Sequence, residues 1–203
     1  MNDPMRSDIF SLNDRQPTPK RGSLLIAKPS VDDYVFERSV IMLVDPDEGD
    51  GAMGVVTNRL TGLTLADVLP EIETPEEIPV YLGGPVGHSM LFFLHTLGPQ
   101  AFPECEDLGN GVYFGGKFEA VKAYLELGEP TEGKIKFIVG YSGWGANQLA
   151  DELERHDWAV WNGDIDHSLL MDTDDSGAWK RAVQLFGDRY RLWLTIPHDP
   201  SNN

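Results

Sequence analysis

The residues best placed by type and spacing to do chemistry lie in Gly140-Tyr141-Ser142-Gly143-Trp144-Gly145, with Gln148 just beyond. They follow an apolar run containing Ile135, Phe137 and Val139 and precede a helical pattern that opens at Ala146. Closely spaced glycines let a backbone turn tightly, and free amides at a helix start make an anion site. Trp144 in such a turn would act as an anchor or a lid. A plainer alternative stands beside it, in which the glycines only let Trp144 pack where the chain reverses.

Three sharper readings of this stretch fail on spacing. A hydrolase elbow needs a small residue two places after the serine, and here that place holds Trp144. A dinucleotide fold needs Gly-x-Gly-x-x-Gly, whereas this order is Gly-x-x-Gly-x-Gly. No Lys-Ser or Lys-Thr pair follows the glycines, so a phosphate-cradling loop of the P-loop kind is absent too.

Two further segments are candidates for the same pocket. Asn58-Arg59 ends an apolar run from Gly54 to Thr57, and Gly83-Gly84-Pro85-Val86-Gly87 is a glycine-dense connection between two others. In the functional reading Arg59 holds an anionic group, turn amides donate to it and Trp144 stacks on it. The binding candidates are therefore Asn58, Arg59, Gly83, Gly84, Pro85, Tyr141, Ser142, Gly143, Trp144, Gly145 and Gln148. In the structural reading these are hairpin or bulge residues.

Other chemistry-bearing residues point away from catalysis. Asp172-x-Asp174-x-Ser176-Gly177 matches the first half of a calcium loop, but its twelfth position is Val183 rather than Glu. Asp45 to Gly51 departs from that pattern earlier, at Gly49 and Asp50. No histidine pair has the helical spacing of a zinc site, so neither metal nor cofactor is expected. His95 ends an apolar run and reads as a packed histidine. Cys105, the only cysteine, sits among Glu104, Glu106 and Asp107, which disfavour a thiolate; no internal disulfide is possible.

The elements that would position these residues alternate short apolar runs with Gly and Pro. Strands are predicted at Leu24 to Ala27, Ser39 to Val44, Gly54 to Thr57, Val80 to Gly83, Met90 to His95, Gly111 to Phe114, Lys134 to Gly140 and Trp158 to Trp161. Helical periodicity marks Lys117 to Leu127, Ala146 to His156 and Ala178 to Gly187, and Thr64 with Asp67 marks a short capped helix to about Leu69. Tyr190 to Ile196 alternates and reads as an edge strand through which copies of the chain could pair. Strands first and helices later argue for α+β. Residues 1 to 21 lack periodicity and read as a flexible arm ahead of one domain spanning 22 to 203.

Charge narrows the partners. The chain of 203 residues carries 16 Lys and Arg against 33 Asp and Glu, a net charge of -17, and residues 60 to 116 contain no Lys or Arg. A nucleic-acid surface needs clustered cations, so direct nucleic-acid binding is not expected. No apolar stretch reaches membrane-spanning length and the first residues lack a secretory h-region, which makes a cytoplasmic protein the expectation.

Several segments together resemble one bacterial family, the YqgE/AlgH family. They are Gly22-Ser23-Leu24-Leu25-Ile26-Ala27-x-Pro29, Phe36-x-x-Ser39-Val40-Ile41, Gly51-Ala52-Met53-Gly54-Val55-Val56-x-Asn58-Arg59, Gly83-Gly84-Pro85-Val86, Leu94-His95, and Gly140-Tyr141-x-Gly143-Trp144-Gly145 with Gln148-Leu149 and Glu152. The resemblance runs from about Gly22 to Trp158 in the expected order. It implies an α+β fold in which a bifurcated, mostly antiparallel β-sheet closes into a pseudo-barrel with a few flanking helices. It implies no agreed activity; members are commonly labelled transcriptional regulators. The family usually has Ala at the place of Ser142, which lowers any catalytic role for that hydroxyl. Leu60 and Pro46 stand where the family often has Pro and His, so no role of that His transfers. Ala146-Asn147 replaces a common Pro-Gly.

Two functions are therefore carried forward. The first is a non-enzymatic regulatory or interaction module that binds a protein or small ligand, as a monomer or weak dimer. The second is a small-molecule binder or enzyme with a Gly/Trp/Arg pocket around Arg59 and Trp144.

Overall fold

The apolar runs become strands because both faces of the sheet they form are covered. In the computed structural model, which describes residues 16–46, 49, 51–72, 74, 77–172 and 175–197, β1 (Leu24–Ala27) and β2 (Val40–Asp45) are buried almost throughout. Leu24, Ile26, Val40 and Met42 face one core and Leu25, Ala27, Ile41 and Leu43 face another. A strand covered on both sides reads as a continuous apolar run, with no polar alternation.

Around these run β3 (Ala52–Val56), β4 (Leu60–Thr64), β5 (Pro79–Leu82), β6 (Val86–His95), β7 (Glu106–Asp107), β8 (Tyr113–Phe114), β9 (Ile135–Trp144) and β10 (Trp158–Trp161). The main order is β10-β1-β2-β3-β9-β6-β8-β7, with β5 branching from β9 and β4 from β5. Every pairing is antiparallel except β5 with β9. The result is a curled, bifurcated, mostly antiparallel sheet flanked by helices: an α+β fold.

The first core is closed by α5 (Ser168–Met171), α6 (Asp175–Gln184) and a 3-10 helix (Gly187–Thr195), through Leu170, Trp179, Val183, Tyr190 and Trp193. A second core holds Phe93, Phe137 and Val80 under α1 (Leu65–Val68) and α3 (Phe118–Glu126), with α2 (Gly98–Ala101) leading to Phe102. The third is closed by α4 (Gln148–Glu154), whose Leu149 packs with Trp144 and Trp158. Lys136, on β9, is buried because carbonyls solvate its ammonium: Nζ donates to Thr57 O at 2.9 Å and Asp172 O at 2.8 Å, 4.0 Å above the Tyr81 ring.

Most predicted elements are found near their expected limits. Asp67 holds the start of α1 as anticipated, its carboxylate accepting from the Thr64 N–H and hydroxyl, both at 2.8 Å. Those bonds hold the Asp67 pKa below the ordinary carboxylate value. Two expectations are corrected. Tyr190 to Ile196 is not an edge strand but lies largely in the 3-10 helix, because Tyr190 and Trp193 both turn inward against the first core. Gly140 to Trp144 is not a turn but the second half of β9, pairing with β3. No helix among the described residues is long and apolar enough to cross a membrane.

The last residues before the sheet are tied to it. The Gln16 side chain accepts from Val160 N–H at 3.2 Å, and Asn162 Nδ2 donates to Thr18 O at 2.9 Å. Residues 1–15 of the expected arm, and parts of both acidic loops weighed as calcium sites, lie outside the described residues.

Candidate functional site

β9 changes partners halfway along, and the glycines make that possible. Val80, Tyr81 and Leu82 pair in parallel with Phe137, Ile138 and Val139. Beyond Gly140 the same side of β9 pairs with β3, Ser142 opposite Gly54 and Trp144 opposite Ala52. Gly140 sits at the switch with φ +70, a conformation that favours glycine. The end of β5 wedges into the fork: Gly83 O accepts from Val56 N–H at 2.9 Å and from the Ser142 hydroxyl at 3.0 Å. Gly84 crosses so close to the Tyr141 carbonyl that a Cβ there would overlap it.

The fork delivers Trp144 to the wall of a cleft of about 440 Å³. Trp158, on the far side of α4, forms the adjoining wall, the two rings meeting edge-to-face at 6.2 Å. Phe36 meets Trp158 in the same manner at 5.7 Å. One Glu152 oxygen accepts both indole N–H groups, at 2.8 Å from Trp144 and 2.7 Å from Trp158. Its other oxygen accepts from Gln148 Nε2 at 3.0 Å. Gln148 Oε1 accepts in turn from Gly145 N–H at 3.0 Å. The amide expected to bind an anion at the helix start is thus already occupied by the helix's own side chain. Asn147 supports the turn in the left-handed conformation at φ 64, which Asn tolerates well.

Of the residues singled out in the sequence, Pro85, Gly143, Trp144 and Gln148 line this cleft. Asn58 and Arg59 do not line it; they brace its third wall. Asn58 accepts from Val40 N–H at 2.8 Å and donates to Arg38 O at 3.0 Å. Arg59 Nη2 donates to Glu37 O at 2.6 Å, and its guanidinium lies 5.7 Å from the Tyr34 ring. Both therefore fix the segment that carries Phe36. Gly83, Gly84, Tyr141 and Ser142 belong to the fork, and Gly145 to the helix turn.

The cleft's remaining residues were not among the binding candidates; Phe36 and Glu152 entered only as residues that carry the family resemblance. Glu152, Arg155, Asp157 and Trp158 reach it because α4 returns the chain toward β1, and Phe36, Ser30, Val31 and Asp32 come from the β1–β2 connection. One local signal was readable: Gln148 and Glu152 stand four apart, on one helical face.

Among the described residues, neither of the nucleophiles weighed from the sequence, Ser142 and Cys105, is paired with a base. The Ser142 hydroxyl is buried and donates to Gly83 O. His95 is buried between Tyr113 and Phe102, with centroids at 5.5 and 4.8 Å, and its Nε2 faces Gly115 O at 3.1 Å. Burial lowers its pKa to about 4. The Cys105 thiol is pushed up, by burial first and by Asp107 after it.

Comparison with known proteins agrees with the fold. A family model described as AlgH-like matches residues 24–191. A UPF0301 protein of Parabacteroides distasonis is 40% identical over 196 residues, 97% of this chain and 98% of that protein. One from Bacteroides fragilis is 39% identical over 199 residues, 98% of this chain and 99% of its own length. The solution structure of the AlgH protein from Pseudomonas aeruginosa superposes with a TM-score of 0.66 at 29% identity, covering 91% of this chain and 99% of that one. A crystal structure from Corynebacterium diphtheriae shares the fold, with a TM-score of 0.69 at 21% identity over 91% of this chain and 96% of that one.

Proposed function

The chain belongs to the AlgH-like family, and we propose that it is a non-enzymatic, cytoplasmic regulatory module that acts by binding a protein partner in the cleft walled by Phe36, Trp144 and Trp158. The observation that carries this is the Glu152 network. It locks two nearly buried tryptophans, 6% and 3% exposed, as the floor of a concave surface, and the Ser142 hydroxyl nearby is buried on Gly83 O with no base as its partner. A floor held rigid in this way keeps its concave shape with no ordering cost when a partner binds. Regulation then runs through a protein and not through DNA, since a body with net charge -17 repels phosphate backbones.

The test replaces the chromosomal gene with Ser30→Trp. Ser30 is an exposed residue at the cleft margin, so the larger ring fills the cleft from outside and replaces no core side chain. The whole-cell proteome of this strain should change as that of a deletion strain does, with the variant protein still present and as stable as the wild type. A variant strain indistinguishable from wild type, beside a deletion strain that differs, would overturn the proposal.

A further inference from the structure

We infer that the cleft takes a cationic side chain, a lysine or arginine presented by the partner; this rests on the cleft being the partner-binding site. Three aromatic rings and three carboxylates line it, Phe36, Trp144 and Trp158 with Asp32, Glu152 and Asp157, against the single cation Arg155. Trp144 and Trp158 form the nearly buried floor, so the aromatic contact to an ammonium or guanidinium group comes from the half-buried Phe36. Glu152 is engaged by both indoles and by Gln148, so the charge that draws the cation at the cleft's edge is that of Asp32 and Asp157. Val31 and Pro85, also lining the cleft, offer apolar contact to the methylene stem that such side chains carry.

The resident cation does not close the site. Arg155 Nε stands 3.1 Å from Asp157 Oδ2, but its side chain is 60% exposed. An exposed pair of this kind is held weakly, and an incoming guanidinium can take its place on Asp157. An anionic group is disfavoured there, because Arg59 is bonded to the Glu37 carbonyl instead of lining the cleft, and the whole molecule is acidic. The long-range field of such a chain also raises the local concentration of basic partners.

The experiment follows the indole N–H resonances of Trp144 and Trp158 in the ¹⁵N-labelled full chain as peptide is added. The probes are acetyl-Gly-Arg-Gly-amide and its citrulline counterpart, which keeps the shape and loses the charge. Both indoles should shift saturably with the arginine peptide, and the citrulline peptide should bind at least about tenfold more weakly. Asp32→Asn with Asp157→Asn should weaken the arginine peptide, whereas Glu119→Gln with Glu129→Gln, an equal charge change on an exposed remote face, should not. Equal binding of both peptides, unmoved indoles, or equal weakening by the remote pair would overturn the inference. Tighter binding of spermidine than of a lysine peptide of equal charge would overturn the protein source in favour of a free polyamine. Equal binding of arginine and citrulline peptides beside a strain phenotype for Ser30→Trp would reject the cation and leave the partner cleft standing.

Discussion

A single oxygen of Glu152 accepts hydrogen bonds from two tryptophans whose rings are buried in the third core. Removing it leaves both indole N–H groups without an acceptor. Each such orphan costs about 1–3 kcal/mol, so Glu152→Ala should lose about 2–6 kcal/mol in urea unfolding, and Glu152→Gln, which keeps a carbonyl oxygen, should lose less. Ser142 is the contrasting case. Its hydroxyl is a second donor to a Gly83 carbonyl that Val56 N–H already satisfies, so Ser142→Ala should cost only about 1 kcal/mol. His95 makes stability depend on pH. Folding holds the imidazole neutral, with its pKa lowered to about 4 by burial, while the unfolded chain takes up the proton near 6.5. The stabilisation is therefore complete above about pH 6.5 and is lost progressively as pH falls toward 4, by on the order of 3 kcal/mol in all. Urea unfolding of wild type between pH 7 and 4.5 should show that loss, and His95→Leu should flatten this part of the profile.

The elements divide into those legible from local pattern and those set by a distant partner. β1 was readable to the residue because Leu24 to Ala27 is a short apolar run between glycine and proline, a pattern that two covered faces require. The capped start of α1 was readable because Thr64 and Asp67 act within one turn. Gly140 to Trp144 was not, because glycines in a turn and glycines at a strand crossing look alike in sequence. Only the arrival of Gly83 and Gly84, more than fifty residues earlier in the chain, decides between them. The same limit hid most of the cleft: Pro85, Gly143, Trp144 and Gln148 stood out by type, whereas Trp158 and Phe36 become neighbours of Trp144 only through the sheet. Alternation misread Tyr190 to Ile196 because an inward Tyr190 and Trp193, three apart, suit a 3-10 turn as well as their neighbours suit a strand. The crossing carries its own prediction. Gly84→Ala places a Cβ against the Tyr141 carbonyl, and the resulting strain should cost on the order of 3 kcal/mol by urea unfolding.

For the whole molecule, charge is the dominant fact. A net charge of -17 repels itself, so screening should stabilise the fold. Raising NaCl from about 0.02 to about 0.5 M should lift the melting temperature by roughly a few degrees, read by circular dichroism. The same charge predicts no shift of duplex DNA in gels at low-micromolar protein and about 0.15 M salt. The proposal that this acidic molecule holds a protein partner in its cleft is open to a direct test. Benzoylphenylalanine placed at Gln148, on the cleft lip, and separately at Leu127, on the exposed end of α3, would report contacts in living cells under light. A discrete protein should crosslink at position 148 and not at 127, and Ser30→Trp should abolish it. No product at 148, or the same products from both positions, would contradict the assignment of the cleft as the recognition surface.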